Sequence, residues 1–100
     1  MTPDETASPA RDSPDPTRQA VADLVRRLEV PAEEIDITAV EQVTWRDSSL
    51  GCPEPGHMYA QVLTPGWRIM LGHRGAVYEY HAALDGGARY CDNPQEPLPR

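Results

Sequence analysis

Apolar residues recur along this chain in two rhythms. Val21, Leu24, Val25 and Leu28 stand at i, i+3, i+4 and i+7, one face of a helix, and Arg18, Asp23, Arg26 and Arg27 take the polar side. Asp15 before Pro16 has the form of an N-cap with proline at the first helical position. Pro31 ends the pattern, because the residue before a proline is pushed out of the α region. The spacing predicts one amphipathic helix from about 16 to 29.

From Ile35 the period falls to two. Ile35, Ile37 and Ala39 alternate with Asp36 and Thr38, and Val43 and Trp45 keep the same odd phase. Val40 and Glu41 break it, which predicts a bulge there or two short strands. Met58 to Leu63 is an apolar-rich run of strand length. Trp67, Ile69 and Leu71 alternate with Arg68, Met70 and Gly72, and Gly72-His73-Arg74-Gly75 predicts a hairpin turn. Ala76 to Ala82 then returns, with Tyr78 and Tyr80 on one face and Val77, Glu79 and His81 on the other. Asp85-Gly86-Gly87 is a second turn signal, and Ala88 to Cys91 a short last strand. The expected fold class is α+β, one N-terminal helix packed on a curled antiparallel sheet of four to five strands.

Two Pro-Gly steps, Pro55-Gly56 and Pro65-Gly66, suit the central positions of type II turns, proline presetting φ and glycine accepting a positive φ. Two such turns would bracket the Met58–Leu63 strand and hold the Cys52-Pro53 loop at the mouth of a rigid frame.

Composition trims this picture at both ends. Residues 1 to 16 hold four of the eleven prolines, no aliphatic residue beyond alanine, and acids at Asp4, Glu5, Asp12 and Asp15. Such a segment cannot bury enough apolar surface to offset the entropy of ordering itself. The expected organisation is a disordered acidic tail over 1–15, one domain over 16–92, and a loose proline-rich tail over 93–100. A core this small invites a covalent or oligomeric supplement. Phe is absent, so Trp45, Trp67 and the four tyrosines supply the aromatic bulk.

Charge removes whole classes of partner. A formal net charge of −7 opposes nucleic acid, whose phosphates demand a basic face, and an anionic membrane surface. All nine basic residues are arginine. No apolar run approaches membrane-spanning length, and the first ten residues show neither a basic n-region nor an apolar h-region.

The two cysteines, Cys52 and Cys91, leave four readings open. A disulfide would close a loop of about 40 residues, worth roughly 3.5–4 kcal/mol in the chain-entropy model. Two inert thiols would suit a reducing compartment. A zinc site would need Cys52, Cys91 and two of His57, His73 and His81, without the close ligand pairs that make a zinc motif specific. A nucleophilic Cys52 would need His57 or His81 and an acid such as Glu79. Pro53 removes a backbone N–H that an oxyanion hole could use.

Elsewhere the chemistry is thin. Tyr78-Glu79-Tyr80-His81 reads as a strand whose tyrosines pack inward while Glu79 and His81 face water or a neighbouring strand. Asp47-Ser48-Ser49 has the form of a side-chain-capped turn. Leu50, Pro53, Pro55, Met58 and Trp67 lie near turns, where burial is hard to complete. A proline-stiffened loop with an apolar tip loses little entropy on binding. The alternative is that these side chains fold back and plug the open end of the sheet.

The stretch SLGCPEPGHMYAQVLTPGWRIML, followed by YEYH and a late cysteine, resembles a family of small bacterial and plant proteins. The resemblance covers about Trp45 to Cys91. Its members, often secreted or lipid-anchored, imply a Cys52–Cys91 disulfide and an extracytoplasmic setting, and carry no established activity. The order helix, strand, Gln61-Val62-Leu63-Thr64-Pro65-Gly66, hairpin is also similar to the cystatins, whose Q-V-x-x-G loop enters a cysteine-peptidase cleft. Here the spacing from Gln61 to the glycine is one residue longer and no proline precedes Trp67.

These observations point to a non-enzymatic module that binds a protein or peptide through Leu50, Cys52, Pro53, Pro55, His57, Gln61, Thr64, Pro65, Gly66 and Trp67. No catalytic residue, metal ligand or cofactor is assigned. The alternatives are a cystatin-like peptidase inhibitor and, further back, a thiol or zinc site at Cys52.

Overall fold

A computed structural model describes residues 16–99. The acidic tail over 1–15, and with it the cap at Asp15, lies outside the described residues.

The helix forms where its periodicity places it, as α1, Pro16–Leu28. Ala20 and Leu24 are its fully buried residues, with Val21, Val25 and Leu28 half-buried beside them. Its end precedes Pro31. Glu29 turns left-handed at φ 56°, and the N–H groups of Glu29 and Val30 both donate to the Val25 carbonyl. That αL stop satisfies a terminal carbonyl without glycine. A single 3-10 turn, Ala32–Glu34, leads into the sheet.

The sheet is a four-stranded antiparallel meander in the order β1 (Asp36–Trp45), β2 (Thr64–His73), β3 (Ala76–Ala83) and β4 (Arg89–Tyr90). The β2–β3 hairpin closes on Arg74 and Gly75 at φ 51° and 84°, the two positive values of a type I′ turn. Ile69 faces Tyr80 and Leu71 faces Tyr78 across that pair. With Ala20, Leu24 and Ile35, the residues Ile69, Leu71 and Tyr80 form the main core under the helix.

The bulge falls between Ile37 and Ala39, at Thr38, not at Val40 and Glu41. The Thr38 hydroxyl donates to the Met70 carbonyl at 3.0 Å, so the extra residue bonds across the strand pair. Ile37 and Val40 then pair with Leu71 and Ile69, on the helix side but largely uncovered.

Two further expectations fail. Met58–Leu63 is not a strand. Ser48 ties it down at one point, donating its N–H to the Ala60 carbonyl while its hydroxyl accepts the Ala60 N–H. Met58, Val62 and Leu63 stay exposed, so no apolar face exists to hold a ladder. Pro65-Gly66 is not a turn but part of β2, paired with Thr44 and Val43. Its glycine serves close approach: a Cβ there would stand 2.0 Å from the Ala82 carbonyl oxygen and 2.9 Å from Trp45 Nε1.

The segment after Cys91 has no regular secondary structure, in keeping with its prolines, yet it is bonded to the domain. Gln95 N–H donates to the Gly51 carbonyl and Leu98 N–H to the Thr44 carbonyl, each at 2.9 Å. The second bond covers part of the open β1 edge.

One polar contact pins helix to sheet. Tyr80, buried, donates its hydroxyl to Asp23 Oδ2 at 2.6 Å, and Arg27 Nε donates to the same oxygen at 2.5 Å. Burial pushes the Asp23 carboxyl up, but the bonds from Tyr80 and Arg27 outweigh it and hold the group below its ordinary value. Burial, then the hydrogen bond to Asp23 and the Asp23 charge, push the Tyr80 phenol far above its own.

Two outcomes follow. Gly66→Ala should cost about 3 kcal/mol or more in urea unfolding, because the clash is with backbone. Gly72→Ala, whose Cβ would meet nothing nearer than 3.4 Å, should stay within about 1 kcal/mol of the parent. Tyr80→Phe should lower stability by about 1.5–3 kcal/mol at neutral pH, as it removes a hydrogen bond to a charged group. Asp23 has a folded pKa below its unfolded 3.8, so its contribution is present above that value and lost as pH falls through the folded one. The gap between Tyr80→Phe and the parent should therefore narrow below pH 3.8 in unfolding measured against pH.

Candidate functional site

The sheet face away from the helix carries the less expected chemistry. The register puts Glu41 beside Arg68, Arg68 beside His81, and Met70 beside Glu79. Among the described residues no helix covers this face. It is closed by the loop from Arg46 to Leu63 and by the segment after Cys91.

Trp45 is its centre. The indole is fully buried, stacks on the His81 ring at 4.1 Å with 26° between planes, and donates Nε1–H to the Ala82 carbonyl at 3.3 Å. Val43 and Leu50 complete this second apolar cluster, with Ala83 packed against it.

The loop reaches the cluster through a sequence of bonds. Asp47 Oδ1 accepts from the Ser49 backbone N–H at 2.9 Å and from its hydroxyl at 2.6 Å, which holds the Asp47 carboxyl below its ordinary value. This is the capped turn read from Asp47-Ser48-Ser49. Leu50 and Gly51 follow at φ 60° and 71°, and the Leu50 side chain is buried. A Cβ on Gly51 would meet the Trp45 ring at 2.8 Å, so glycine there meets both the backbone angle and the contact.

That turn aims the Leu50 carbonyl oxygen at His81 Nδ1, 2.6 Å away. The other ring nitrogen, Nε2, lies 2.6 Å from Glu79 Oε2. A carbonyl oxygen can only accept and an ionised carboxylate can only accept. His81 thus carries hydrogen on both nitrogens against an ionised Glu79, or the Glu79 carboxyl donates to Nε2; either way one proton is shared inside the pair. Arg68 Nε donates to the same Glu79 oxygen at 3.0 Å, and its other nitrogens reach Glu96 at 3.4 Å and Glu41 at 3.8 Å. As the alternation allows, Glu79 meets the neighbouring strand through Arg68, whereas His81 is fully buried between the Leu50 carbonyl and Glu79. Among the described residues no buried side-chain polar atom lacks a partner.

Cys52 and Cys91 form a disulfide, Cα to Cα 5.4 Å, across 39 positions. Cys52 Sγ lies 3.4 Å from His81 Nδ1. The sulfurs and Nδ1 form a buried group in which all donor atoms lie within 4.8 Å of one another. His57 and His73 are elsewhere, beside Glu54 and Glu34, so the structure does not assemble a Cys₂His₂ set.

Beyond the disulfide opens a cleft of about 470 Å³. Cys52, Pro53 and Pro55 line one wall, and Arg89, Tyr90 and Asn93 the other. Arg89 bonds Glu54 across it at 3.0 Å, and the Glu54 N–H donates to the Tyr59 hydroxyl at 3.0 Å.

The ten residues singled out from sequence separate in space. Pro53 and Pro55 are exposed at the cleft, and His57 and Gln61 are exposed on the loop beyond. Leu50 and Cys52 are buried. Thr64, Pro65 and Gly66 lie in β2, and Trp67 packs on the helix-side core. Arg89, Tyr90 and Asn93 were not singled out; a two-residue strand gives no periodic signal. His81 is a candidate partner of Cys52 in sequence, but its alternation reveals only its face, not what covers that face.

The fold and the site define a small α+β domain closed by a buried disulfide, with no helix among the described residues long and apolar enough to cross a membrane. The chain belongs to the family described as Domain of unknown function (DUF8738), whose model matches residues 17–91, from the first turn of α1 to the second cysteine. No curated protein and no solved structure matches it.

If the disulfide is chiefly a scaffold, Cys52→Ser and Cys91→Ser should destabilise equally, and the double variant should be little worse than either. The chain-entropy model gives about 4 kcal/mol for this loop. Urea unfolding of the three variants measures it; unequal, additive losses would assign Cys52 a separate role.

Proposed function

We propose that this chain is a non-enzymatic binding module that takes up a short peptide segment of a partner protein at the cleft beside the Cys-Pro loop. The observation carrying this reading is the cleft itself: a concave site between a proline-stiffened loop and the end of β4, both walls tied together by the Cys52–Cys91 bond. Walls fixed beforehand lose little entropy when a ligand enters. Proline rings and Tyr90 offer apolar surface, while Glu54, Arg89 and Asp92 offer polar groups for orientation. Met58, 96% exposed on the same loop, adds an adaptable apolar contact. The net charge of −7 favours a partner segment with basic residues. Both sulfurs are joined and the His81 nitrogens are engaged, which supports recognition over nucleophilic chemistry at this face.

A second reading, peptidase inhibition, draws on the exposed Val62 and Leu63 in the Gln61–Leu63 segment. It has less behind it, because Thr64-Pro65-Gly66 is part of a paired strand and not the tip of a projecting loop.

One set of measurements separates the two. Peptides selected against the full chain from a random library should shift the amide signals of Glu54, Gly56, His57 and Arg89 to Asn93. Pro55→Gly and Met58→Glu should each weaken them about tenfold with little change in thermal midpoint. Peptides that bind elsewhere, or none at all, would remove the cleft reading. Slowing of a papain-like peptidase, abolished by Leu63→Asp, would put inhibition in its place.

A further inference from the structure

The His81–Glu79–Arg68 string is costly beside a disulfide that does not require it. A disulfide constrains the unfolded chain through its covalent bond alone. Burying an imidazole, a carboxylate and a guanidinium carries a desolvation penalty that their mutual attraction only partly offsets. Two sulfurs and a ring nitrogen nonetheless converge in the interior, with a carboxylate behind the ring. In metal sites a ligating histidine donates its second ring N–H to a carboxylate, which fixes the tautomer and raises the basicity of the ligating nitrogen.

We propose that the reduced protein binds one thiophilic d¹⁰ ion, zinc being the reference case, through Cys52 Sγ, Cys91 Sγ and His81 Nδ1, with Glu79 as the hydrogen-bond partner that orients His81. The three donor atoms lie within 4.8 Å of one another before any movement, and all three residues are buried. Zn–S and Zn–N bonds of about 2.3 and 2.1 Å place tetrahedral ligand atoms roughly 3.5–3.8 Å apart. Nδ1 already lies 3.4 Å from Cys52 Sγ, and the two sulfurs, about 2 Å apart while bonded, need separate by about 1.7 Å once the S–S bond is cut. The set is soft, two thiolates and an imidazole, and selects zinc or copper(I) over magnesium or calcium. The fourth position falls to oxygen: the Leu50 carbonyl, already beside Nδ1, or water from the adjoining cleft.

The chemistry balances with a phosphine as reductant. The phosphine takes up oxygen from water to become the phosphine oxide, its electron pair cleaves the S–S bond, and each sulfur gains a proton. The ion then displaces both thiol protons and the Nδ1 hydrogen, which pass to solvent. Nε2–H stays on Glu79, and Arg68 continues to neutralise that carboxylate. The disulfide and the metal complex are thus two alternative states of one buried cluster.

The full chain, reduced with a phosphine under argon, should bind one equivalent of Co²⁺ and show thiolate-to-cobalt charge transfer. The oxidised chain should bind none. Zinc should displace the cobalt and raise the thermal midpoint of the reduced protein only. Cys91→Ser should weaken Co²⁺ binding about 100-fold or more, and Glu79→Gln about 10- to 100-fold. Because His81 also stacks on Trp45, its role is read without substitution, from the ring ¹⁵N signals of the parent, where zinc should move Nδ1 far more than Nε2. Uptake by the oxidised chain, no uptake by the reduced chain, full binding by Cys91→Ser, or an unmoved Nδ1 signal would each overturn the proposal. Should reduction unfold the chain, zinc must restore the fold; failure to do so would overturn it equally.

Discussion

Burial of the Trp45 indole against His81 is the contact on which the lower half of this structure rests. The ring sits between two strands and a loop, and each neighbour has yielded to it. Gly66 has no side chain because the indole nitrogen and the Ala82 carbonyl occupy that space. Gly51 has none because the ring edge lies there. Leu50 accepts a left-handed backbone and in exchange buries its own side chain on the cluster. Removing a fully buried tryptophan costs about 3–5 kcal/mol in cores generally, a large part of what so small a domain holds in total.

The two faces of the sheet solve the same problem differently. On one, an amphipathic helix covers Ile69, Leu71 and Tyr80, and Asp23 receives the Tyr80 hydroxyl at the seam. The other face has no second helix among the described residues and is closed by irregular chain, whose backbone polar groups need partners. Those partners are found one at a time: Ser48 with Ala60, Gln95 with Gly51, Leu98 with Thr44, and Leu50 with His81. Irregular chain also has more conformations to lose on folding, and the Cys52–Cys91 bond removes many of them from the unfolded state.

What could be read from sequence was whatever depends on near neighbours. The helix, the β2–β3 hairpin, the split of Tyr78 and Tyr80 from Glu79 and His81, and the Asp47–Ser49 turn are local patterns, and each appears in the structure. The errors have a common cause as well. Pro65-Gly66 carries a strong turn signal, overruled by an indole 21 positions earlier in the chain. The apolar alternation breaks at Val40 and Glu41, yet the bulge follows the hydroxyl of Thr38 and a carbonyl on another strand. Met58 to Leu63 has strand composition but pairs with no strand among the described residues. The cysteine pairing was open to four readings because spacing alone does not bring two loops together. The cleft was illegible for the same reason, since its far wall is a two-residue strand and the bend after it.

The bonding also determines which part of the molecule can vary without loss of fold. From Asp47 to Cys52 every step is fixed: a side-chain-capped turn, a buried leucine, a glycine against a ring, and a sulfur bonded to Cys91. From Pro53 to Leu63 the side chains are mostly exposed, and the backbone is held at Ser48–Ala60 and at the Tyr59 hydroxyl. Loops that carry recognition sit on scaffolds that hold their ends and leave their tips free. Here the held end is the Leu50–His81–Glu79–Arg68 string, and the exposed tip is Pro53 to Met58. A change at the tip alters what the cleft meets, whereas a change in the string alters whether the cleft exists.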